Sequence, residues 1–457
     1  MASMSYWIIS PNFILALIGK LKGWDRVVPT PTFDWRTAKV DIAIPAKNEE
    51  RSIALALGSL AYQNFPLHRI TVVDDGSTDR TSEVVRAFKE QSGLEIELIV
   101  RAQSIGKTPT LREVCQRSDA DVLFVLDADT ILIDHGYISA CVQELFRNAG
   151  VASVSGKVMP LTNRRRNQHW SSSQPLRTIS ERFGLRSSQS WRETLLLAPV
   201  IVYREALYTF LHGMLYDGQQ KLIGNTLNPA GCAVAYKRDR LAECFAYAAQ
   251  HVGDNMSTSE DIYIGHFFNW KGYRNVHLAS ALCESTEPPV NRLWKQMFLW
   301  SSSFIQSFHY FPELSLTPLG WLRKLRGGGE KGGESSGRQH RHVQEQYRSA
   351  WGENVTRRYG RAVGLLSIAG IIEKTAYPLI LTFLCFWSPE SAVLTVAAEV
   401  TLSTAVIMAV ADSGSRWRSG ALMIAATPLR LLSLFVDLYC MLRFGLDLAT
   451  ANRNWRK

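Results

Sequence analysis

Short apolar runs alternate with segments of helical periodicity between residues 40 and 130. Runs rich in β-branched residues predict strands at 40–46, 69–73, 95–100 and 121–126. Apolar positions at helical spacing predict helices at 50–62, 77–88 and 108–116, the second opened by Ser77 and Asp79. Strands that alternate with helices favour a parallel sheet covered on both faces. Polar clusters after these strands are then expected together at the carboxyl edge of the sheet, where such folds bind ligands.

The pattern changes after residue 361, where long apolar segments follow one another at 362–387, 391–411 and 421–448. A membrane-crossing helix needs about 20 mainly apolar residues. The middle segment, whose only charged residue is Glu399, is therefore the best single candidate. The third contains Arg430, Asp437 and Arg443. We expect it to be re-entrant or interfacial, because three full crossings would place the basic C-terminal end outside.

Four further segments lie outside these two regions. Residues 1–38 are expected to form an interfacial anchor, since the apolar stretch 6–18 is short and has no signal-peptide flanks. An apolar and aromatic helix is expected at 195–214, packed on the domain or on the bilayer surface. Residues 291–322 carry aromatic positions at helical spacing and predict amphipathic interfacial helices. Residues 323–361, rich in glycine, lysine and arginine, predict a flexible linker.

Composition narrows the class of protein. The 457 residues are 46% hydrophobic and 20% charged, which excludes a disordered or collagen-like chain. Seven dispersed cysteines without a CxxC pair indicate reduced thiols in a cytosol-facing protein. Much of the net charge of +10 lies in 163–192 and 323–361. The first of these is either a solvated basic loop or a contact for lipid phosphates or an anionic substrate, and its few aromatics argue against nucleic acid.

Polar motifs follow three predicted strands. Asp74-Asp75-Gly76 ends the second, and its carboxylates are able to accept hydrogen bonds from a nucleobase N–H or ribose hydroxyls. Gly106-Lys107 opens a helix and offers a positive charge to phosphate. Asp127 and Asp129 end the fourth strand, and two carboxylates around one small residue suit a hard divalent cation.

These motifs, with Pro45-Ala46-Lys47-Asn48-Glu49-Glu50 after the first strand, resemble family 2 glycosyltransferases of the GT-A fold in order and spacing over about residues 40–300. The resemblance implies an α/β fold class. A cytosolic GT-A domain over 39–290, Rossmann-like with a mostly parallel sheet, would be followed by interfacial amphipathic helices and C-terminal transmembrane helices within 362–457. Mg²⁺ or Mn²⁺ would be held by Asp127 and Asp129. Nucleotide-sugar ligands would be Pro45, Asn48, Glu49, Asp74, Asp75, Lys107 and Asp127. Arg112 departs from the family, which more often has asparagine there.

Three downstream motifs resemble the processive branch of cellulose, chitin and hyaluronan synthases. Ser259-Glu260-Asp261 is similar to its Thr-Glu-Asp element, in which Asp261 would be the general base, although an acidic helix N-terminus would look the same. The loop 228–232 resembles the acceptor-side Gly-Ser loop, or is a buried apolar turn. Residues 296–300 resemble (Q/R)xxRW with Leu299 at the arginine position, or belong to a membrane-surface helix. The implied acceptor contacts are Gly231, Cys232, Glu260, Gln296 and Trp300.

The resulting expectation is a membrane-associated inverting glycosyltransferase that uses a UDP-sugar to extend a β-linked polysaccharide at the inner face of the plasma membrane. Its partners would be the UDP-sugar, a carbohydrate or lipid-linked acceptor and membrane lipids, and no nucleic acid. Single transfer to a lipid-linked or glycan acceptor is the alternative. Three membrane segments are too few for a polymer channel, so processive synthesis would require a homo-oligomer or a partner subunit. Leu299 leaves open a third class, an inactive membrane scaffold that senses nucleotides.

Overall fold

The computed structural model describes residues 10–23, 33–147, 150–185, 191–253, 259–315 and 363–450. The predicted linker at 323–361 and the basic end at 453–457 lie outside these residues.

One eight-stranded mixed sheet forms the centre of the N-terminal domain, in the order β3-β2-β1-β4-β7-β6-β8-β5. Strands β3, β2, β1 and β4 are parallel, as predicted, and β6 pairs in parallel with β8. Strand β7 is antiparallel to both neighbours, and β5 is antiparallel to β8. The strand bounds are β1 Val40–Ala46, β2 Arg69–Asp74, β3 Glu97–Val100, β4 Val122–Leu126, β5 Thr130–Leu132, β6 Val151–Pro160, β7 Ala233–Lys237 and β8 Arg274–Ser285.

Helices pack on both faces of this sheet, and β4 is buried along its whole length. Burial on both faces explains the continuous apolar runs that predicted the strands. The chain also contains an N-terminal helix, α1 Pro11–Lys22. The helices of the domain are α2 Ile53–Ala61, α3 Thr81–Ser92, α4 Lys107–Arg117, α5 Tyr137–Arg147, α6 Asn163–Trp170, α7 Gln174–Phe183, α8 Trp191–Phe210, α9 Asp217–Ile223, α10 Arg238–His251, α11 Glu260–Lys271, α12 Val290–Tyr310 and α13 Pro312–Ser315.

One local prediction is wrong, and one of two open alternatives is excluded. Helix α3 begins at Thr81, not at Ser77 or Asp79, because Asp79 accepts a hydrogen bond from the Thr81 N–H while Asp74 accepts one from the Ser77 N–H. The polar residues 77–79 thereby form a turn in front of the helix. The basic segment is not a loop over 163–183, since Thr162 and Ser173 accept hydrogen bonds from the first turns of α6 and α7 and so cap both helices.

Long apolar helices adjoin this domain. Helix α8 continues through a π-helical turn, Leu211–Tyr216, into α9. The described residues 363–450 contain four helices: α14 Val363–Trp387, α15 Pro389–Val410, α16 Arg416–Ala425 and α17 Thr427–Ala449. By length and composition three helices among the described residues could cross a membrane: Trp191–Ile223, Val363–Trp387 and Pro389–Val410. Helices α16 and α17 meet at 53° and would add a fourth, broken span, or a re-entrant loop.

Buried polar contacts join the apolar helices to each other. Lys374 of α14 lies 2.6 Å from Asp437 of α17, and its Nζ donates to Ser301 of α12 at 3.1 Å. Arg430 of α17 pairs with Glu399 of α15. Charges buried among apolar helices require such partners. The contacts of Ser301 with Lys374 and Asp437 hold α12, which begins shortly after β8, against α14 and α17.

Candidate active site

The sheet topology brings the predicted motifs to one edge. Ala46 at the end of β1 pairs with Asp74 at the end of β2. Strand β7 is antiparallel to β4, so its first residue, Ala233, pairs with Leu126. The loop before β7 therefore adjoins the Asp127 motif, and the Asp127 N–H donates to the Cys232 carbonyl at 2.8 Å. An antiparallel strand thus places residues some hundred positions apart side by side.

Asp75 organises the loop that leads to Lys107. Its Oδ1 accepts from Arg101 Nη1 and the Ile105 N–H, and its Oδ2 accepts from Ser104 Oγ and the Gly106 N–H, at 2.6–3.0 Å. Burial would raise the pKa of Asp75, but these hydrogen bonds outweigh it and hold the pKa below its ordinary value. A carboxylate offers about four acceptor positions. All four are used within the chain, so a nucleoside would have to displace one of these donors.

The other predicted nucleoside residues also hold the edge together. Asn48 has a left-handed backbone, φ 58°, and its Oδ1 accepts from the Thr78 N–H at 2.8 Å. Asp74 is buried and accepts hydrogen bonds from the Ser77 N–H and the Ser82 hydroxyl. Pro45 lies half-buried within β1. Both carboxylate oxygens of Asp74 are therefore used to hold the turn after β2 and the start of α3 in place.

Lys107 connects the Asp127 motif to the Glu260-Asp261 motif. Its Nζ lies 2.6 Å from Asp127 Oδ1 and 2.6 Å from Glu260 Oε1. Burial would lower the pKa of Lys107, but the two carboxylates outweigh it and raise the pKa well above its ordinary value. The lysine is thus a permanent positive charge at the edge. Glu260, predicted to contact the acceptor, is the ion-pair partner of this lysine.

The carboxylates at this edge repel one another. Burial and the nearby negative charges raise the pKa of both Asp127 and Asp129 to about 7, against an ordinary 3.8, although Lys107 opposes the rise. Burial also raises the pKa of Glu49, with a contribution from Asp127. Clustered oxygen ligands with unbalanced negative charge are the donor set that Mg²⁺ and Mn²⁺ prefer. The residues present therefore fit a divalent cation.

Asp261 is buried at the N-terminus of α11. Its Oδ1 accepts from Ser259 Oγ at 2.5 Å. A Cβ added to Gly231 would lie 2.5 Å from Asp261 Oδ2, so the absence of a side chain at 231 is what admits the carboxylate. The structure thereby brings together Gly231 and Asp261, which were predicted as acceptor contact and general base.

Arg204 and Glu287 join Gln296 and Trp300 in a cluster that the sequence did not predict. Arg204 of α8 is fully buried, lies 3.1 Å from Glu287 Oε2 and donates to Gln296 Oε1. Its guanidinium carbon lies 4.7 Å from the centre of the Trp300 ring. One face of Trp300 is therefore covered by an arginine. In the sequence, the only sign of this cluster is one arginine, Arg204, within the apolar segment 195–214.

A different set of potential metal ligands lies at the opposite end of the sheet. Asp41, His68 and Asp119 have one ligand atom each within 4.8 Å of one another. Asp41 is at the start of β1, and it already accepts from Ser118 Oγ at 2.7 Å and contacts His68 Nδ1 at 2.8 Å. These contacts account for the group as a link between β1 and its neighbouring loops.

Comparisons with known proteins identify the domain. The sequence model described as Glycosyl transferase family 2 matches residues 41–245. Poly-beta-1,6-N-acetyl-D-glucosamine synthase of Staphylococcus epidermidis is 23% identical over 152 residues, 33% of this chain and 35% of the relative. An N-acetylglucosaminyltransferase of Azorhizobium caulinodans is 30% identical over 159 residues, 32% and 39% of the two chains. Beta-monoglucosyldiacylglycerol synthase of Synechocystis sp. is 29% identical over 143 residues, 28% and 30%.

A solved mannosyltransferase, PcManGT from Pyrobaculum calidifontis, in complex with GDP-Man and Mn²⁺, overlaps 92% of this chain and 94% of its own at 17% identity, with a TM-score of 0.46. The chain spans only about a third of the length of the curated relatives above, so their complete activities are not carried over from these alignments. The predicted family is confirmed for the region that the family model covers: residues 41–245 are a glycosyltransferase family 2 domain, and their strands belong to the mixed GT-A sheet.

Proposed function

We propose that this chain is a membrane-associated inverting glycosyltransferase that passes a sugar from a UDP-sugar to a growing polysaccharide at the inner face of the plasma membrane. One observation carries the proposal. Lys107 pairs with both Asp127 and Glu260, so it joins the residues expected to bind the donor to those expected to bind the acceptor. A donor and an acceptor bound on the two sides of Lys107 would meet at this edge.

Asp127 and Asp129 would hold Mg²⁺ or Mn²⁺. When bound, the cation supplies positive charge that stabilises a departing diphosphate. Lys107 would place a second positive charge on the opposite side of the diphosphate. Its ion pair with Asp127 would weaken once the cation neutralises that carboxylate. Pro45, Asn48, Glu49, Asp74 and Asp75 would surround the nucleoside, with the loop 101–106 shifting to free an oxygen of Asp75.

Asp261 would act as the general base. The acceptor hydroxyl gives its proton to the Asp261 carboxylate while its oxygen attacks the anomeric carbon. The bond from that carbon to the diphosphate oxygen breaks on the opposite side, and the nucleoside diphosphate leaves with the electron pair. The configuration of the sugar carbon is thereby inverted. Ser259, which donates to Asp261 Oδ1, would keep the carboxylate oriented.

The proposal is tested with the full chain in lipid nanodiscs. Release of nucleoside diphosphate is measured from a panel of UDP- and GDP-sugars, with Mn²⁺, with Mg²⁺ and with chelator. Release that depends on the cation and on a UDP-sugar is expected, and it excludes an inactive nucleotide-sensing scaffold. Asp129→Asn is the control, and its release of nucleoside diphosphate should no longer increase on addition of the cation. Binding of UDP without turnover of any sugar would contradict the proposal.

Substitution of the base gives a sharper test. Asp261→Asn keeps the size of the side chain but cannot accept the proton, so transfer should fall by about 10²–10⁴-fold. Affinity for UDP should stay unchanged, because Asp261 is not among the residues proposed to bind the donor. Full transfer activity in this variant would show that another group is the base.

Single transfer to a lipid-linked acceptor is the second candidate, because the proposed acceptor cluster is built by α8 and α12 among the apolar helices. An acceptor anchored in the bilayer would reach such a cluster directly. The size of the product made from one labelled UDP-sugar separates the two: a ladder or polymer indicates a synthase, and one added sugar per acceptor indicates single transfer. Processive synthesis would further require a second copy or a partner to complete a channel.

A further inference from the structure

Helix α6 is anchored beside the candidate metal ligands. Its Arg165 pairs with the buried Glu284 of β8, and His169 Nε2 lies 3.5 Å from the same carboxylate. Thr162 caps the helix at its start. The three consecutive arginines 164–166 are therefore held at fixed positions, and they face different directions. Arg164 is exposed, whereas Arg166 is half-buried.

Arg166 faces the Asp129 loop. Its Nη2 donates to Thr286 Oγ1 at 2.7 Å, and the Thr286 N–H in turn donates to the Asp129 carbonyl at 3.2 Å. Asp129 and Glu49 attract the guanidinium electrostatically. Within the described part of the chain, however, Arg166 forms no ion pair with either carboxylate, and its buried Nε has no hydrogen-bond partner. A charged donor is thus held close to two carboxylates without touching them.

We propose that Arg166 binds a phosphate oxygen of the donor's diphosphate. The inference rests on the proposed function and concerns the same site. Charges would then alternate across the edge: carboxylate, divalent cation, phosphate and guanidinium. A phosphate between the cation and Arg166 would accept a hydrogen bond from the Arg166 Nε. It would also separate the two positive charges, those of the cation and the guanidinium. A guanidinium binds phosphate with two parallel hydrogen bonds. Arg166 would thus supply a guanidinium, which the leucine at position 299 does not offer.

The test measures ligand binding, not turnover. The full chain in nanodiscs is titrated with Mn²⁺ alone, and then at saturating Mn²⁺ with UDP and with inorganic pyrophosphate, which has the phosphates without the nucleoside. Arg166→Gln should lower the affinity for UDP and for pyrophosphate by about tenfold or more, since a hydrogen bond to a charged group is lost. Arg166→Lys should recover part of this loss, because it keeps the charge without the planar fork. Arg164→Gln, on the exposed face of the same helix, should bind like the wild type.

The outcomes separate the alternatives. If Arg166→Gln binds Mn²⁺ more tightly but both anions with unchanged affinity, the arginine is only a counter-ion of Asp129 and Glu49, and the inference is wrong. A lower affinity of Arg166→Gln for UDP with an unchanged affinity for pyrophosphate also overturns the inference. A wild-type chain that binds Mn²⁺ but neither UDP nor GDP instead contradicts the proposed function itself. Unaltered Mn²⁺ binding by Arg166→Lys shows that the variant has folded.

Discussion

Gly231 is the residue whose size controls the proposed base. A methyl group there would lie 2.5 Å from Asp261 Oδ2, and no backbone strain is involved, since Gly231 does not have a positive φ. Gly231→Ala should therefore displace the carboxylate and lower kcat by about 10-fold to 100-fold, in line with the sensitivity of proton transfer to small misplacements. Steady-state transfer assays and UDP titrations check this.

UDP affinity in the Gly231→Ala chain should match that of the wild type, because the donor side is not changed. Gly414→Ala is the matched control, since nothing lies within 4 Å of the added methyl group. An unaltered kcat in Gly231→Ala would mean that the loop 228–232 moves away from Asp261 without slowing transfer.

Asp127 and Asp129 make cation binding depend on pH. Their pKa is raised to about 7 in the folded chain, so the metal-free fold gains stability from protonation below the ordinary 3.8 and loses it as pH rises through 7. The cation requires the deprotonated carboxylates and stabilises the fold in proportion to its binding. The increase in Tm on adding Mn²⁺ should thus be small at about pH 5.5 and large at about pH 8.

Thermal unfolding of the purified chain at the two pH values measures this difference. In Asp127→Asn combined with Asp129→Asn, the Mn²⁺ increment should vanish at both. An increment that is equal at both pH values would show that the cation does not bind through these two carboxylates.

The elements of the sheet could be predicted because each follows from a local pattern. Strand β1 has the predicted bounds, and β2 and β4 differ from prediction by one residue at one end. The start of α3 was missed because the side chains at 74 and 79 bond to the turn, which no helical periodicity reveals. Helices α6 and α7 were missed because their stability comes from caps and from packing on the domain.

Helix α1 is a short apolar helix that is held against α9 and α14. Its twelve residues pack on α9 at Gly19 and Gly218, whose backbones approach so closely that neither position admits a side chain. Asn12 also bonds to Glu373 of α14 at 3.1 Å. Gly19→Val should separate the helices and lower the free energy of unfolding by about 1–3 kcal/mol, the usual cost of overpacking.

Equilibrium unfolding in mild detergent measures the loss in Gly19→Val, with Leu21→Ala as the control, because Leu21 is exposed on the same helix. A wild-type stability in Gly19→Val would indicate that α1 is detached and lies alone at an interface, as its sequence had suggested.

The whole molecule explains why the site could be predicted only in part. Lys107, Asp127 and Glu260 lie in recognisable motifs, and the fold brings them together, with Lys107 paired to both carboxylates. Arg166 and Arg204 carry none, because each reaches the site from a helix whose position depends on the complete fold. Their roles follow from contacts between residues that are far apart in sequence, and a single sequence does not encode those contacts in any local pattern.

Another long-range connection runs from the C-terminal helices to α12, which carries Gln296 and Trp300 of the proposed acceptor cluster. Lys374 and Asp437 are both about fully buried, 1% exposed, and they meet at Ser301, the neighbour of Trp300. Lys374→Met leaves Asp437 buried without its counter-charge, which should cost about 3–5 kcal/mol of unfolding free energy. Lys374→Met combined with Asp437→Leu removes both charges and should regain most of that stability.

Unfolding and transfer assays on the same preparations distinguish packing from charge. Leu446→Ala is the control on α17, because Leu446 is exposed and its truncation should change the unfolding free energy by about 0.5 kcal/mol or less. If the buried pair only balances charge, the double variant regains both stability and transfer. If the pair also orients α12 through Ser301, the double variant is stable yet transfers poorly, with a raised KM for the acceptor and an unchanged affinity for UDP. We expect the second result, because Ser301 contacts both charged groups and lies next to Trp300 on the same helix. A double variant with wild-type KM would show that α12 is positioned by its apolar contacts alone.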